Sequence, residues 1–245
     1  MERSQSESPD LPPDLSADPP SDLSPDLPPA LRPPTPSSTP SSTPSSTIVV
    51  WDLGGVLAPS GRALTALADA LDVSESVLAE PYWAHRDAYD LGGSAADYWG
   101  RIGAALGRPL DAEWVERLDR IDSDGWAAIA DESAALLGRL AARGTPLGVL
   151  SNAPASLAAA VRRAGWSRRF ETLVFSCDLG LMKPDPQVYR GAGERLGRAP
   201  SDVVFFDDRT ENVEAARAHG WRAHVWTGAA AATAVLAAEG VLIDG

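Results

Sequence analysis

The sequence predicts an α/β protein: a doubly wound, Rossmann-like parallel sheet with helices on both faces and a helical cap inserted after the first strand. Three observations carry this. Apolar runs of strand length recur from residue 48 onward, helix-patterned segments separate them, and the interval 61–130 holds helical patterns with no strand among them.

The first run, IVVWDL at 48–53, is apolar until it delivers a single carboxylate, Asp52, followed by Leu53, Gly54 and Gly55. LGVLS at 147–151 ends on Ser151 and Asn152, and TLVFS at 172–176 leads into a loop that carries Lys183. VVFFD at 203–207 ends on Asp207 and Asp208, and AHVW at 223–226 completes the set. Helices are expected between the strands at 131–143, 154–164, 186–197, 210–219 and 229–239. Within the insertion, RALTALADAL, AADYWGRIGAAL and AEWVERL have helical spacing. Ligands of an open parallel sheet gather at the carboxyl ends of its strands, near the switch in strand order, so a module inserted there is placed as a lid. The expected division is an α/β core at 48–60 and 131–245 and a helical cap at 61–130.

Residues 1–47 are different material, with 13 prolines, 12 serines, seven acids, two arginines and no aromatic residue. Leucines recur there every four residues, but each interior proline costs a helix about 3 kcal/mol, so the segment reads as a disordered, Pro/Ser-rich acidic tail. Its PDL repeats also offer a docking segment for a partner. The whole chain carries a net charge of −13, which gives no electrostatic attraction to nucleic acid or an anionic membrane. One cysteine, Cys177, allows no intrachain disulfide, and no apolar run approaches the ~20 residues of a membrane span or follows the pattern of a secretory signal. A cytoplasmic protein is expected.

The strand ends deliver Asp52, Ser151, Asn152, Asp207 and Asp208 to one edge of the sheet, and a loop adds Lys183. Carboxylates suit a hard divalent cation such as Mg²⁺, while an ammonium and a hydroxyl suit phosphoryl oxygens. Residue usage points the same way: Lys183 is the only lysine against 20 arginines, and Asn152 and Asn212 are the only asparagines. A compact ammonium fits between carboxylate and phosphate where the wide guanidinium fork does not.

DLGGVL, LSNA, DLGLMKPDPQVY and VVFFDDRTEN resemble, in order and spacing, the four motifs of the haloacid dehalogenase superfamily. The likeness is nearest to the branch of bacterial alpha-glucose-1-phosphate phosphatase and the N-terminal phosphatase domain of soluble epoxide hydrolase. It implies Mg²⁺-dependent hydrolysis of small phosphate monoesters, sugar phosphates first, through an aspartyl-phosphate. Asp52 is then the nucleophile. Asp52, the Gly54 carbonyl and Asp208 hold the metal, with Asp207 supporting. Ser151, Asn152 and Lys183 meet the phosphoryl group, and Asn212 steadies the metal loop.

The departure is Gly54. Most phosphatases of the superfamily carry an acid at this position, which protonates the leaving oxygen, and such help is worth ~10²–10⁴ in rate. Three outcomes stay open: a substrate with a good leaving group (an anomeric sugar, aryl or acyl phosphate), an acid from the cap, or binding without turnover. Among cap groups His85 is the first choice as proton donor and substrate contact. Asp87 and Asp90 are further acids, and Arg86 and Tyr89 are suited to bind substrate. Trp83, Trp99, Trp114 and Trp126 are expected as core of the cap. Replacing Gly54 by Asp should flatten the dependence of rate on leaving-group basicity. A 2-haloacid dehalogenase is the competing enzyme class and a phosphometabolite-binding regulator the competing non-enzyme. Retained Asp208 speaks against the dehalogenase, whose alkyl ester chemistry needs no metal.

Overall fold

The structure is a computed structural model that describes residues 47–242. Apart from Thr47, the expected tail lies outside the described residues. Five parallel strands, β1 (Ile48–Trp51), β2 (Leu147–Ser151), β3 (Thr172–Phe175), β4 (Val203–Asp207) and β5 (Arg222–Val225), form one sheet in the order β3-β2-β1-β4-β5. The chain builds outward from β1 to β3 and then crosses back to β4. The switch point therefore falls between β1 and β4, the two strands that end in acids. Trp51 pairs in register with Phe206, so the next residues, Asp52 and Asp207, emerge side by side.

Alternation along β1 supplies both faces of the core. Val49 and Trp51 pack with Leu137, Leu140, Val149, Val161, Phe206 and Leu236, whereas Ile48 and Val50 pack with Leu150, Val188, Tyr189, Phe205, Val213 and Trp221. All four β1 residues are fully buried, which is why the run shows no polar alternation. The covering helices are α6 (Asp131–Ala142), α7 (Ala155–Arg163), α8 (Ser176–Leu179), α9 (Pro186–Leu196), α10 (Thr210–Ala218) and α11 (Ala229–Ala238). The helix α9 starts where Asp185 accepts a hydrogen bond from the Gln187 amide, with Pro186 at the first helical position.

Between β1 and β2 come α1 (Arg62–Leu71), α2 (Glu75–Ala84), α3 (Arg86–Asp90), α4 (Ala95–Ala105) and α5 (Ala112–Ala127). These close on a core of their own around Leu67, Leu78, Tyr82, Tyr98, Trp99, Ile102 and Leu118. Sequence pattern exposes α1, α4 and the start of α5 but neither α2 nor α3. Pro81 inside α2 and the break at His85 interrupt the helical period there. Two of the four cap tryptophans sit where expected and two do not. Trp99 is buried in the cap core and Trp114 packs against it, but Trp126 joins the sheet-side core and Trp83 is 53 % exposed.

Candidate active site

Asp52 stands one residue past β1, where its amide donates to the Phe206 carbonyl (3.0 Å) and its Oδ1 accepts from the Leu53 amide (2.7 Å). Lys183 Nζ lies 2.9 Å from Asp52 Oδ1 and 2.5 Å from Asp207 Oδ2. Asp207 is fully buried and its other oxygen accepts from the Arg209 amide and from Asn212 Nδ2, both at 2.9 Å. Its two oxygens are thus engaged by three protein donors, while its neighbour Asp208 is exposed and lines the cavity in front of Asp52. Oxygens of Asp52, Asp207 and Asp208 all lie within 4.8 Å of one another.

Charge and burial set the electrostatics. Burial pushes the Asp52 carboxyl up to about 6; Lys183 pulls it down and Asp207 pushes it up again. Burial, then repulsion from Asp207, also raises Asp208. Burial works to lower the Lys183 ammonium, but Asp52 and Asp207 outweigh it and raise the group above its ordinary value, so it stays charged. Three carboxylates around one ammonium leave excess negative charge, which a hard divalent cation relieves. The buried Oδ1 of Asn212 has no hydrogen-bond partner among the described residues, and a water carried by a hydrated cation would satisfy it. The donor set fits Mg²⁺.

Ser151, 3 % exposed at the end of β2, and the Asp52 carboxylate share the cavity, and a hydrogen bond from Ser151 favours ionised Asp52. Asn152 has a different task from the direct phosphate contact expected of it. Its Oδ1 accepts from the Lys183 amide (2.9 Å) and its Nδ2 donates to the Lys183 carbonyl (3.0 Å), so the carboxamide clamps the backbone that presents the ammonium. The Lys183–Pro184 peptide bond is cis.

The two glycines after Asp52 have separate reasons. Gly55 has φ +72°, and a Cβ there would run into Asp208 Oδ2. Gly54 has ordinary backbone, but a Cβ on it would lie 3.2 Å from Trp126 Cζ3. The indole of α5 therefore crowds the Cβ of any side chain at this position.

The cap contributes differently from expectation. His85, at the junction between α2 and α3, lines a separate cavity of about 360 Å³ with Tyr98 and Arg101 and is not in the lining of the cavity in front of Asp52. Arg86 reaches the main cavity, but its guanidinium is held by Asp90 (Nε to Oδ1, 2.8 Å), Asp122 (3.1 Å) and the Tyr82 hydroxyl (2.5 Å), which makes it an internal tie of the cap. The Tyr89 hydroxyl is taken by Asp119 and Ser156. Asp87 and Asp90 do line the main cavity, and burial pushes Asp90 up to about 6. Trp83, Trp126, Leu157, Met182 and Arg209 also line it, and sequence reasoning assigned none of them there. Their only advance signal was Met182, adjacent to the single lysine.

The family description "haloacid dehalogenase-like hydrolase" matches residues 47–220. Phosphoglycolate phosphatase of Escherichia coli K12 is 28 % identical over 198 residues, covering 70 % of this chain and 77 % of that protein. Bifunctional epoxide hydrolase 2 of Rattus norvegicus is 41 % identical over 54 residues, 22 % of this chain and 10 % of that one. In fold, a haloacid dehalogenase family enzyme of Bacteroides thetaiotaomicron, solved with magnesium and inorganic phosphate, superposes with TM-score 0.58 at 19 % identity, covering 74 % of this chain and 94 % of that one. A 2-haloacid dehalogenase of Pseudomonas syringae gives TM-score 0.57 at 22 % identity, covering 79 % and 99 %.

Proposed function

Because the chain belongs to the haloacid dehalogenase-like hydrolase family, we propose that it is a Mg²⁺-dependent phosphatase acting on phosphate monoesters of small metabolites. The observation that carries the reading is Lys183, which bridges Asp52 and Asp207 at the switch point of the sheet with Asp208 open to the same cavity. A phosphatase is also what the Escherichia coli relative is named.

An oxygen of Asp52 attacks phosphorus, the bond to the leaving oxygen breaks with its electron pair on that oxygen, and an aspartyl-phosphate remains. Water then attacks the same phosphorus, releasing inorganic phosphate and restoring Asp52. Lys183 keeps Asp52 ionised and balances charge on the phosphoryl oxygens, and Ser151 donates to one of them. Asp52, the Gly54 carbonyl and Asp208 would hold the metal, with Asp207 fixing Lys183 and Asn212 behind them. The cation, when bound, neutralises the phosphoryl group and the carboxylate cluster. Within the substrate class, resemblance alone favours sugar phosphates. A cytoplasmic setting belongs to the same proposal and rests on the single cysteine and the acidic charge; among the described residues no helix is long and apolar enough to cross a membrane.

Purified full-length protein with Mg²⁺ should release phosphate from p-nitrophenyl phosphate, and Asp52→Asn should abolish the release; activity that survives the substitution refutes the nucleophile. EDTA should silence the enzyme, whereas a dehalogenase would retain its turnover of 2-haloacids.

A further inference from the structure

The cavity in front of Asp52, about 510 Å³, is lined by apolar side chains as well as by charged ones. Trp83 and Trp126 meet there edge to face, with centroids 6.4 Å apart, and Leu64, Leu157 and Met182 extend the wall. Trp126 Nε1 donates to the Tyr82 hydroxyl at 2.8 Å, which pins the ring. Trp83 remains 53 % exposed, the only tryptophan among the exposed large hydrophobic residues described. An indole left open on a cavity wall is apolar surface for a ligand to cover.

Charge on this wall excludes the opposite kind of ligand. The cation it carries is Arg86, already enclosed by Asp90 and Asp122, and Asp87 adds a further acid. Of the other two cations lining the cavity, Lys183 bridges Asp52 and Asp207, and Arg209 pairs with Glu211. A substrate bearing a second anion, such as a carboxylate, would find each cation lining the cavity already paired with a carboxylate.

The same ring bears on the proton. Gly54 has no side chain and so supplies no acid to the leaving oxygen, and Trp126 lies 3.2 Å from where its Cβ would be. An aryl oxygen departs without one: the electron pair of the broken bond stays on the oxygen, stabilised by the ring, and water later supplies the proton.

We infer that this cavity selects phosphate monoesters whose alcohol is an uncharged aryl group over carboxylate-bearing ones, with Trp83 and Trp126 receiving the aromatic ring. The inference rests on the phosphatase reading for its phosphate end, and it places aryl groups ahead of the sugars that resemblance favoured.

The test is binding, which does not require turnover. Full-length protein with excess Mg²⁺ is titrated by calorimetry with methylphosphonate, phenylphosphonate and phosphonoacetate. Phenylphosphonate should bind about tenfold more tightly than methylphosphonate, and phosphonoacetate no more tightly than methylphosphonate. Trp83→Ala should remove most of the phenyl advantage and Trp83→Phe should keep it; the side chain is exposed, so neither change threatens the fold. Tighter binding of phosphonoacetate than of phenylphosphonate, or a phenyl advantage that survives Trp83→Ala, overturns the inference. Phosphonate binding in the expected order with no phosphate release from any ester leaves the aromatic site standing and removes the phosphatase reading. Failure of all three phosphonates to bind overturns both.

Discussion

A Cβ on Gly54 would lie 3.2 Å from Cζ3 of Trp126, so any side chain there must displace the indole by a few tenths of an ångström. Trp126 is held in turn by Tyr82 and packs into the sheet-side core, which leaves it little freedom to yield. Gly54→Asp alone should therefore lower stability by about 1–3 kcal/mol through overpacking and leave the dependence of rate on leaving-group basicity as steep as in the native enzyme. The double substitution Gly54→Asp, Trp126→Ala opens the space and should flatten that dependence. Denaturant unfolding and a series of esters graded by leaving-group pKa measure the two effects.

Lys183 is 1 % exposed between two carboxylates that are themselves buried. Lys183→Met leaves both without a countercharge and should cost about 3–5 kcal/mol in unfolding free energy, along with phosphate release. Lys183→Arg should keep the charge but not the activity, because the planar guanidinium cannot occupy the space of an ammonium enclosed on all sides.

Asp52 shows the converse effect on stability. Its folded pKa of about 6 stands above the ordinary 3.8, so the folded chain holds this proton to higher pH than the unfolded chain does. Stability is lost as pH rises through that interval and stays lower above it. In metal-free buffer at neutral pH, Asp52→Asn should melt about 3 °C or more above wild type, with the gap closing at acid pH. Adding Mg²⁺ should raise the wild type more than the variant. Calorimetric scans with and without EDTA supply the comparison.

Asn152 acts through Lys183. Loss of its two hydrogen bonds to the Lys183 backbone in Asn152→Ala should cost about 1–3 kcal/mol in stability and lower kcat roughly tenfold, with little change in KM because the phosphate contacts of Ser151 are intact. Steady-state kinetics would show a direct binding role instead as a rise in KM.

Arg86 ties α3 to α5 through Asp122, whose side chain is fully buried. Arg86→Met should destabilise by about 3–5 kcal/mol because Asp122 is left charged and unpaired, and Arg86→Met with Asp122→Asn should recover a large part of this. If Arg86 were chiefly a substrate clamp, the second substitution would restore nothing.

The strand that delivers each acid was legible because the chemistry is local. IVVW and VVFFD are buried on both faces, so each reads as an apolar run with a carboxylate at its carboxyl end, and the sole lysine stood out by composition. Their convergence follows from parallel topology, since parallel strands place all their carboxyl ends at one edge. The cap was legible only as helices. Helical period shows that a segment buries one face, not which distant helix it meets. Arg86 and Asp122 are 36 residues apart, and Tyr82 and Trp126 are 44 apart. Nothing near His85 announces that it lines a different cavity from Arg86, its neighbour.

The sequence by itself thus determined the sheet, the order of its strands' chemical groups and the absence of a side chain at Gly54. Tertiary structure alone decided what fills that absence. Asp52 and Asp207 are brought together by the register of β1 on β4, which strand pattern encodes, and Lys183 joins them on the loop that Asn152 clamps. Trp126 reaches Gly54 through the crossing of α5 over the strand ends, which only the packing of the whole cap specifies.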